Sequence, residues 1–361
     1  MKRTACTILL CLLIAMPINA MENKKKNNIT EITVIIDPKS AHYLDVHTIV
    51  VSGSDSCSII DAFHSKEIKQ IVSPKECTNY LFSTTTHPHK KMIALGYDDK
   101  ITIYNTETDA FIWRKTISDH GYINFAAFSP FEEALFVKQG NFQIIKYNYL
   151  TDTQESMYES ESLYHFALHP HKKNILITKR SADLCIHDSD DLTKQITTTK
   201  DKSSYNLCEY SADGTTLAVG NQCGIHIKSS DLQKEEFIID TAGKFKQIKF
   251  YREKLILALL SSEIKDEKEY YAMEYCDIKN KRIIHTTHLE FDPIWDFDFS
   301  PDGKKILFVA DYKCIIMPLP IELFKEDIFM YWILKHYQKN NSEVEIPYDI
   351  IQYIFSLFFK Q

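Results

Sequence analysis

Short apolar strands separated by polar turns recur along most of the chain. Apolar and polar residues alternate over runs of roughly five to seven residues, and each run ends at a turn rich in Asn, Asp, Ser or Pro. This alternation predicts β-strands and does not fit the period of about 3.6 residues that an amphipathic helix requires. The region between residues 30 and 320 is therefore predicted to be all-β.

The strands belong to a unit that returns about every forty residues. Each unit closes its first strand at a His-Pro or Ser-Pro corner, or at a variant of it: His87-Pro88, Ser129-Pro130, His169-Pro170, Ser211-Ala212 and Ser300-Pro301. The steps between these corners are 42, 40, 42 and 89 residues, and the last step holds two units, with Phe250-Tyr251 at the missing corner. Such a unit must stack on its copies to bury its apolar faces.

Radial stacking of four-stranded antiparallel sheets satisfies that requirement, because each sheet covers its neighbour and the ring leaves no long free edge. The sequence predicts a seven-bladed β-propeller, with blades near residues 40–75, 78–117, 122–160, 162–200, 204–241, 243–289 and 293–317. Six or eight blades remain alternatives, because the first blade is short. The last unit shows three strands before Pro318, so the strand predicted at Ile32–Ile36 is expected to complete it and close the ring.

Two short motifs resemble those of WD-repeat proteins. Phe299-Ser300-Pro301-Asp302-Gly303, followed by a strand, is similar to the second-strand signature of that family, and Asp119-His120-Gly121 resembles its Gly-His element. The Trp-Asp pair of the family is absent from the third strands, which carry Tyr104-Asn105, Tyr147-Asn148 and His187-Asp188 instead. The resemblance covers residues 30–320 and implies a propeller that binds other proteins.

The first twenty residues have the composition of a secretory signal. Lys2 and Arg3 precede an apolar run from Ala5 to Met16, and Pro17–Ala20 forms a small-residue cleavage region. We expect cleavage after Ala20, with residues 21–30 as a polar linker, and export through the secretory pathway as a periplasmic or secreted protein. An uncleaved anchor is the alternative, although the apolar run is short for a bilayer span.

Over residues 321–361 the period changes to that of helices. A first helix is predicted at 321–341, and a second, at 346–361, presents an apolar face of candidate partner-binding residues: Ile350, Ile351, Ile354, Phe355 and Phe358. One interpretation is a helical cap on the ring, and another is a helix that binds a partner or a membrane surface. Ile346-Pro347, Asp349 and the paired aliphatics also resemble the start of an F-box, which implies docking onto an adaptor protein of a host.

The sequence predicts no catalytic or metal-binding constellation. His87 and His89 stand at the same corner of the repeat as His169 and His171, which indicates a turn rather than a set of metal ligands. No nucleophile elbow, Walker loop or Gly-rich dinucleotide turn occurs, and the seven cysteines after residue 20 show no CxxC spacing. We therefore expect no cofactor and no enzymatic activity, and interpret the cysteines as small hydrophobic residues within strands.

Charge and hydropathy narrow the class of partner. The net charge of −7 without a long basic run argues against nucleic acid, and no second apolar stretch is long enough for a membrane span. These features favour a monomeric interaction scaffold whose loops bind other proteins. The hairpin Ser261–Tyr270, long and of mixed charge, is a candidate binding loop.

The alternative function is a propeller enzyme, such as a lactonase-like hydrolase, or a small-ligand binder that uses the central channel. This alternative requires carboxylates or histidines that converge on the channel from several blades. The predicted inner strands begin near Tyr80, Ile123, Leu163, Tyr205, Phe245 and Ile294. They are mainly apolar, and Asp296 and Asp298 in the last strand are the exceptions.

Overall fold

The computed structural model describes residues 29–33, 38–53, 56–72, 81, 83–97, 99–117, 122–181, 183–200, 204–221, 224–239, 244–251, 256–265, 268–291, 293–310, 313–320 and 323. They form 28 β-strands, numbered in chain order, in seven antiparallel sheets of four strands. The predicted seven-bladed, all-β propeller is confirmed. The predicted signal segment and the tail residues Ile350, Ile351, Ile354, Phe355 and Phe358 lie outside the described residues.

Within each of the first six blades, the strands follow the chain from the innermost to the outermost position. Blade one holds β2 (Pro38–Tyr43), β3 (Thr48–Gly53), β4 (Ser56–Asp61) and β5 (Lys66–Val72). Blade two holds β6 (Ser83–Thr86), β7 (Met92–Gly96), β8 (Lys100–Asn105) and β9 (Ala110–Thr116). Blade three holds β10 (Ile123–Phe128), β11 (Ala134–Gln139), β12 (Gln143–Asn148) and β13 (Thr153–Glu159).

The remaining blades repeat this order. Blade four holds β14 (Leu163–Leu168), β15 (Asn174–Lys179), β16 (Asp183–Asp188) and β17 (Gln195–Lys200). Blade five holds β18 (Leu207–Tyr210), β19 (Thr216–Asn221), β20 (Gly224–Ser229) and β21 (Glu235–Ile239). Blade six holds β22 (Lys244–Phe250), β23 (Ile256–Lys265), β24 (Lys268–Asp277) and β25 (Arg282–Leu289). Blade seven holds β26 (Ile294–Phe299), β27 (Lys305–Ala310), β28 (Lys313–Pro318) and β1 (Thr30–Thr33).

The hydrophobic core is divided among the seven interfaces between adjacent blades. Each of seven buried clusters draws its side chains from two neighbouring sheets. Strand β11 shows how alternation produces this pattern: Leu135 and Val137 pack toward blade two, whereas Phe136 packs toward blade four. Both faces of a blade are therefore apolar, and the ring is what buries them.

Strand β1 closes the ring at the outer edge of blade seven. It runs antiparallel to β28, with Ile32 opposite Cys314. Ile32 is 4% exposed and packs in the cluster between blades seven and one, while Lys313 Nζ donates to Glu31 Oε2 over 2.9 Å on the outer side. The predicted closure by an N-terminal strand is confirmed, although the strand begins at Thr30, two residues earlier than predicted.

The ends of the third strands explain how the turns form with few glycines. Asp61, Asn105 and Asn148 end β4, β8 and β12, and the Oδ1 of each accepts backbone N–H groups two and three residues later over 2.8–3.1 Å. The chain has 9 glycines. Among the described residues, five that are not glycine adopt the left-handed conformation in the turns after the third strands, with φ of 54–63°: Ser65, Asp109, Asp152, Leu232 and Lys281. Polar side chains thus replace glycine as turn formers.

The cysteines that the structure describes lie inside strands. Cys57, Cys185, Cys208, Cys276 and Cys314 are all buried with free thiols. This placement confirms their interpretation as small hydrophobic residues. Cys77 and Cys223 lie outside the described residues.

Candidate functional site

The propeller presents two faces, which we name after the ends of the innermost strands. The start face carries the beginnings of these strands and the turns between second and third strands. The corner face carries their ends, at the His-Pro and Ser-Pro corners, and the turns between third and fourth strands. The innermost strands contact one another around the ring, as in the pairs β2 with β6, β18 with β22 and β26 with β2, and thereby line a central channel.

The start face exposes large apolar and aromatic side chains. They come from blades three, six and seven: Tyr122, Phe142, Ile264, Tyr270 and Trp295. Trp295 is 49% exposed, and Lys39 Nζ of blade one lies 4.7 Å from its ring centroid. The predicted long hairpin is confirmed, because β23 and β24 have ten residues each and bring Ile264 and Tyr270 to this face.

The corner face is occupied by ion pairs that join neighbouring blades. Lys91 pairs with Asp45, and Lys90 pairs with Glu133. Lys146 Nζ, with a buried side chain, lies 2.8 Å from Glu132 Oε1 and 3.2 Å from Asp190 Oδ1 of the next blade. Four large apolar side chains are also exposed here: Val46, Phe63, Phe131 and Leu150. Several charges of this face are therefore matched by residues of a neighbouring blade.

The corner histidines stabilise turns, as predicted. Nδ1 of His87 accepts from the N–H of His89 over 3.1 Å, and Nδ1 of His169 accepts from the N–H of His171 over 3.0 Å. An acceptor nitrogen must be unprotonated, and burial lowers the pKa of both His87 and His169 to about 4. Ser300 takes the same role in blade seven, where its Oγ accepts from the N–H of Lys305 over 2.9 Å.

One layer of the channel contains the clearest cluster of charged groups. Each innermost strand contributes its penultimate residue to this layer, in the order of blades one to seven: His42, Thr85, Ala127, Ala167, Glu209, Lys249 and Asp298. Charged or titratable side chains come from the four consecutive blades five, six, seven and one. Blades two to four contribute small residues at the same level.

Asp298 is the centre of this layer. Its Oδ1 lies 2.8 Å from Lys249 Nζ, and its Oδ2 accepts from the backbone N–H of Tyr43 over 2.9 Å and lies 3.9 Å from His42 Nδ1. The Lys249 ammonium, His42 and these hydrogen bonds hold the pKa of Asp298 below its usual range despite the opposing effect of desolvation by burial. The carboxylate therefore stays ionised and binds blades six, seven and one together.

A second layer strengthens the same junction. Asp296 Oδ2 accepts from the N–H of Ala41 over 3.3 Å, and Gln247 Oε1 accepts from the N–H of Phe297 over 3.0 Å. The inner edge of each blade carries backbone N–H groups that no further strand can pair. Side chains from neighbouring blades satisfy those groups here, so Asp296 and Asp298, singled out from the sequence, have a structural role in ring closure.

Glu209 differs from the other charged residues of its layer. Among the residues that the structure describes, its half-buried carboxylate makes no hydrogen bond and no ion pair. Desolvation by burial raises the pKa of Glu209 to about 7; Lys249 opposes this shift and Asp298 reinforces it. Glu209, Lys249 and His42 were not predicted as channel residues from the sequence. Alignment of the corners would have shown that all three take the position of Asp298 in their own repeats.

A cavity of about 360 Å³ opens beside Glu209 at the corner-face mouth of the channel. Its walls come from the innermost strands and corners of blades three to six, and include Phe125, Ala127, Leu168 and Phe250. Glu209 is the one charged residue among the described residues that line it. The alanines of blades three and four leave the space that longer side chains fill in other blades.

Two features are absent from the part of the chain that the structure describes. It contains no group of three or more His, Cys, Asp or Glu side chains that could hold a metal ion. Nor does any helix within it have the length and hydropathy of a membrane span.

The comparisons with known proteins show the fold. No protein-family model and no curated protein sequence matches the chain. A chain in the solved structure titled "Crystal Structure of Mitotic Checkpoint Complex" superposes with a TM-score of 0.68 at 10% sequence identity, covering 84% of this chain and 94% of that one. The resemblance to WD-repeat proteins therefore holds at the level of a seven-bladed propeller, whose fold alone does not assign a function.

Proposed function

We propose that this chain is a protein-interaction scaffold, without catalytic activity, that presents its start face to other proteins. The observation that carries the proposal is the exposure of Tyr122, Phe142, Tyr270 and Trp295 on that face. Aromatic residues are enriched at protein interfaces and dominate their binding energy. The structural neighbour comes from a structure whose title names a complex, which is consistent with protein partners.

The corner face is the weaker candidate for a partner surface. Several of its charges are paired with one another, and the exposed Phe63 ring lies against the rings of His47 and His64 at centroid distances of 6.4 and 4.9 Å. Groups that are already paired gain little from a further partner. Four of the five large apolar side chains that we find exposed on the start face are aromatic, against two of the four on the corner face, and a partner would remove this area from water.

The test compares two matched surface variants in affinity capture followed by mass spectrometry. Trp295→Ser combined with Phe142→Ser removes start-face contacts, and Phe63→Ser combined with Leu150→Ser removes a similar apolar area from the corner face. We expect the proteins that the unaltered chain retains to be lost from the start-face variant alone. Loss from the corner-face variant alone, or from neither variant, would refute the proposal.

We further propose export through the secretory pathway, with cleavage after Ala20, and a tail that adds to partner binding through Ile350, Ile351, Ile354, Phe355 and Phe358. The supporting observations are the signal composition of residues 1–20 and the apolar helical period of residues 346–361. N-terminal sequencing of the exported protein tests the cleavage. A chain ending at Pro320 tests the tail: unchanged partner capture would show that the tail does not contribute, whether it caps the ring or acts elsewhere.

A further inference from the structure

The cavity beside Glu209 is a separate feature from the start face, and its chemistry points to a different kind of ligand. Its volume of about 360 Å³ lies in the lower part of the range of about 300–1,000 Å³ that is typical of small-molecule sites. The walls are predominantly apolar and aromatic. Such sites bind a ligand through apolar contact and orient it through a few polar groups.

Glu209 supplies the polar group and sets the charge of the ligand. This half-buried carboxylate has lost part of its hydration and has gained no hydrogen-bond donor in return from the residues that the structure describes. Lys249 of the same layer does not fill this role, since its Nζ is held by Asp298 at 2.8 Å. A cation placed in the cavity would offset the desolvation of the Glu209 carboxylate.

The aromatic walls favour the same ligand. Phe125 and Phe250 line the cavity together with Glu209, and the face of a phenyl ring attracts a cation through its quadrupole. The same rings provide apolar area for a hydrocarbon substituent. An anion would meet the Glu209 carboxylate without a donor beside it, and a neutral apolar molecule would leave that carboxylate without a partner.

We propose that the corner-face mouth of the channel binds a small organic ammonium ion, with Glu209 as its counter-charge and with Phe125, Leu168 and Phe250 against its apolar part. This function goes beyond the scaffold role and uses the opposite end of the channel from the start face. The binding step is non-covalent.

The test is calorimetric titration of the full chain with phenethylamine and with its neutral isostere 2-phenylethanol. The titration is made at pH 8, above the pKa of about 7 of Glu209, so that the carboxylate is ionised. We expect the amine to bind at least ten-fold more tightly than the alcohol. Equal affinity, or no heat from the amine at millimolar concentration, overturns the proposal.

Variants assign the binding to the cavity. Glu209→Gln is expected to weaken amine binding at least ten-fold, while Glu236→Gln, an exposed carboxylate on the outer strand of the same blade, leaves it unchanged. Ala127→Leu keeps the charge of Glu209 but fills part of the cavity. We expect it to weaken the binding of both the amine and the alcohol. Thermal unfolding confirms that each variant is folded before titration. Amine binding that survives Glu209→Gln in a folded protein overturns the proposal.

Discussion

The carboxylate of Asp298 accepts the backbone N–H of Tyr43 over 2.9 Å, and the two residues are 255 positions apart in the chain. The bond joins the innermost strand of blade seven to that of blade one. Together with the pairing of β1 and β28 at the outer edge, it closes the ring at both radii. A propeller whose first and last blades are not adjacent in sequence depends on contacts of this kind for its cooperativity.

Replacement of Asp298 tests the inner closure. Asp298→Ala leaves the Tyr43 N–H and the Lys249 ammonium without their acceptor, so we expect the free energy of unfolding to fall by about 2–4 kcal/mol. Asp298→Asn keeps a hydrogen-bond acceptor but not the charge, so its free energy of unfolding should fall by less. Urea unfolding measures the difference, with Glu161→Ala in an exposed turn as the control. A loss at Asp298 no larger than that of the control would contradict the assigned role.

Adjacent residues of β1 test the outer closure. Ile32 points into the cluster between blades seven and one, whereas Glu31 points to solvent and pairs with Lys313. Ile32→Asp places a charge in an apolar core and is expected to cost about 3 kcal/mol or more. Glu31→Gln removes one exposed ion pair and should cost about 0–1 kcal/mol.

Hydrogen exchange locates the effect of these β1 variants. Faster exchange in β28, the direct partner of β1, is expected for Ile32→Asp and not for Glu31→Gln. If both variants unfold at the same urea concentration, β1 does not contribute to closure in solution.

The corner histidines predict a loss of stability in acid. The pKa of His169 is lowered from 6.5 to about 4, so the unfolded chain binds more protons than the folded chain between these values. The stabilisation is complete above pH 6.5 and is lost as the pH falls toward 4. We expect about 1–2 kcal/mol less stability at pH 5 than at pH 7 from this imidazole.

Serine variants separate this titration from other acid effects. Ser129, Ser211 and Ser300 occupy the same corner in other blades, so His169→Ser can retain a turn acceptor that does not titrate. We expect this variant to lose less stability between pH 7 and pH 5 than the unaltered chain. His171→Ser, two residues away, is the control. Between pH 7 and pH 5 it should lose as much stability as the unaltered chain. Equal slopes for all three proteins would contradict the prediction.

The left-handed turn residues predict a stabilising substitution. Ser65 has φ of 54° in an exposed turn of blade one, a conformation that glycine adopts without steric cost. Ser65→Gly is expected to raise the free energy of unfolding by about 0.5–1 kcal/mol. Thr108→Gly, in the equivalent turn of blade two but without positive φ, should instead lower it by a similar amount. We expect the two variants to shift the midpoint of thermal unfolding in opposite directions, and shifts of the same sign would contradict the prediction.

The fold was accessible from the sequence because one unit recurs. Each copy repeats the same strand lengths and the same corner, so weak local signals reinforce one another, and the incomplete last unit identified β1 as its missing strand. The predicted bounds were less accurate at the starts of the inner strands, because the corner motif marks only their ends. Tyr205, predicted to begin an inner strand, precedes β18 and is fully buried between blades four and five.

The channel cluster was not accessible in the same way. Asp296 and Asp298 stood out as carboxylates in an apolar strand, but Glu209 and Lys249 lie in strands whose neighbouring residues gave no sign of convergence. Their meeting depends on the radius of the ring and on which side chains face the channel. No local pattern carries that information, since the residues that meet are 40 to 256 positions apart.

The pairing of β1 with β28 also sets an order of events during protein synthesis. β1 leaves the ribosome long before β28, because their residues Glu31 and Lys313 are 282 positions apart. A nascent chain with six completed blades still has an unpaired β1 and an uncovered face on blade one. Such a chain carries a free strand edge that another copy can occupy. Synthesis of blade seven is therefore the step that removes the risk of association between unfinished rings.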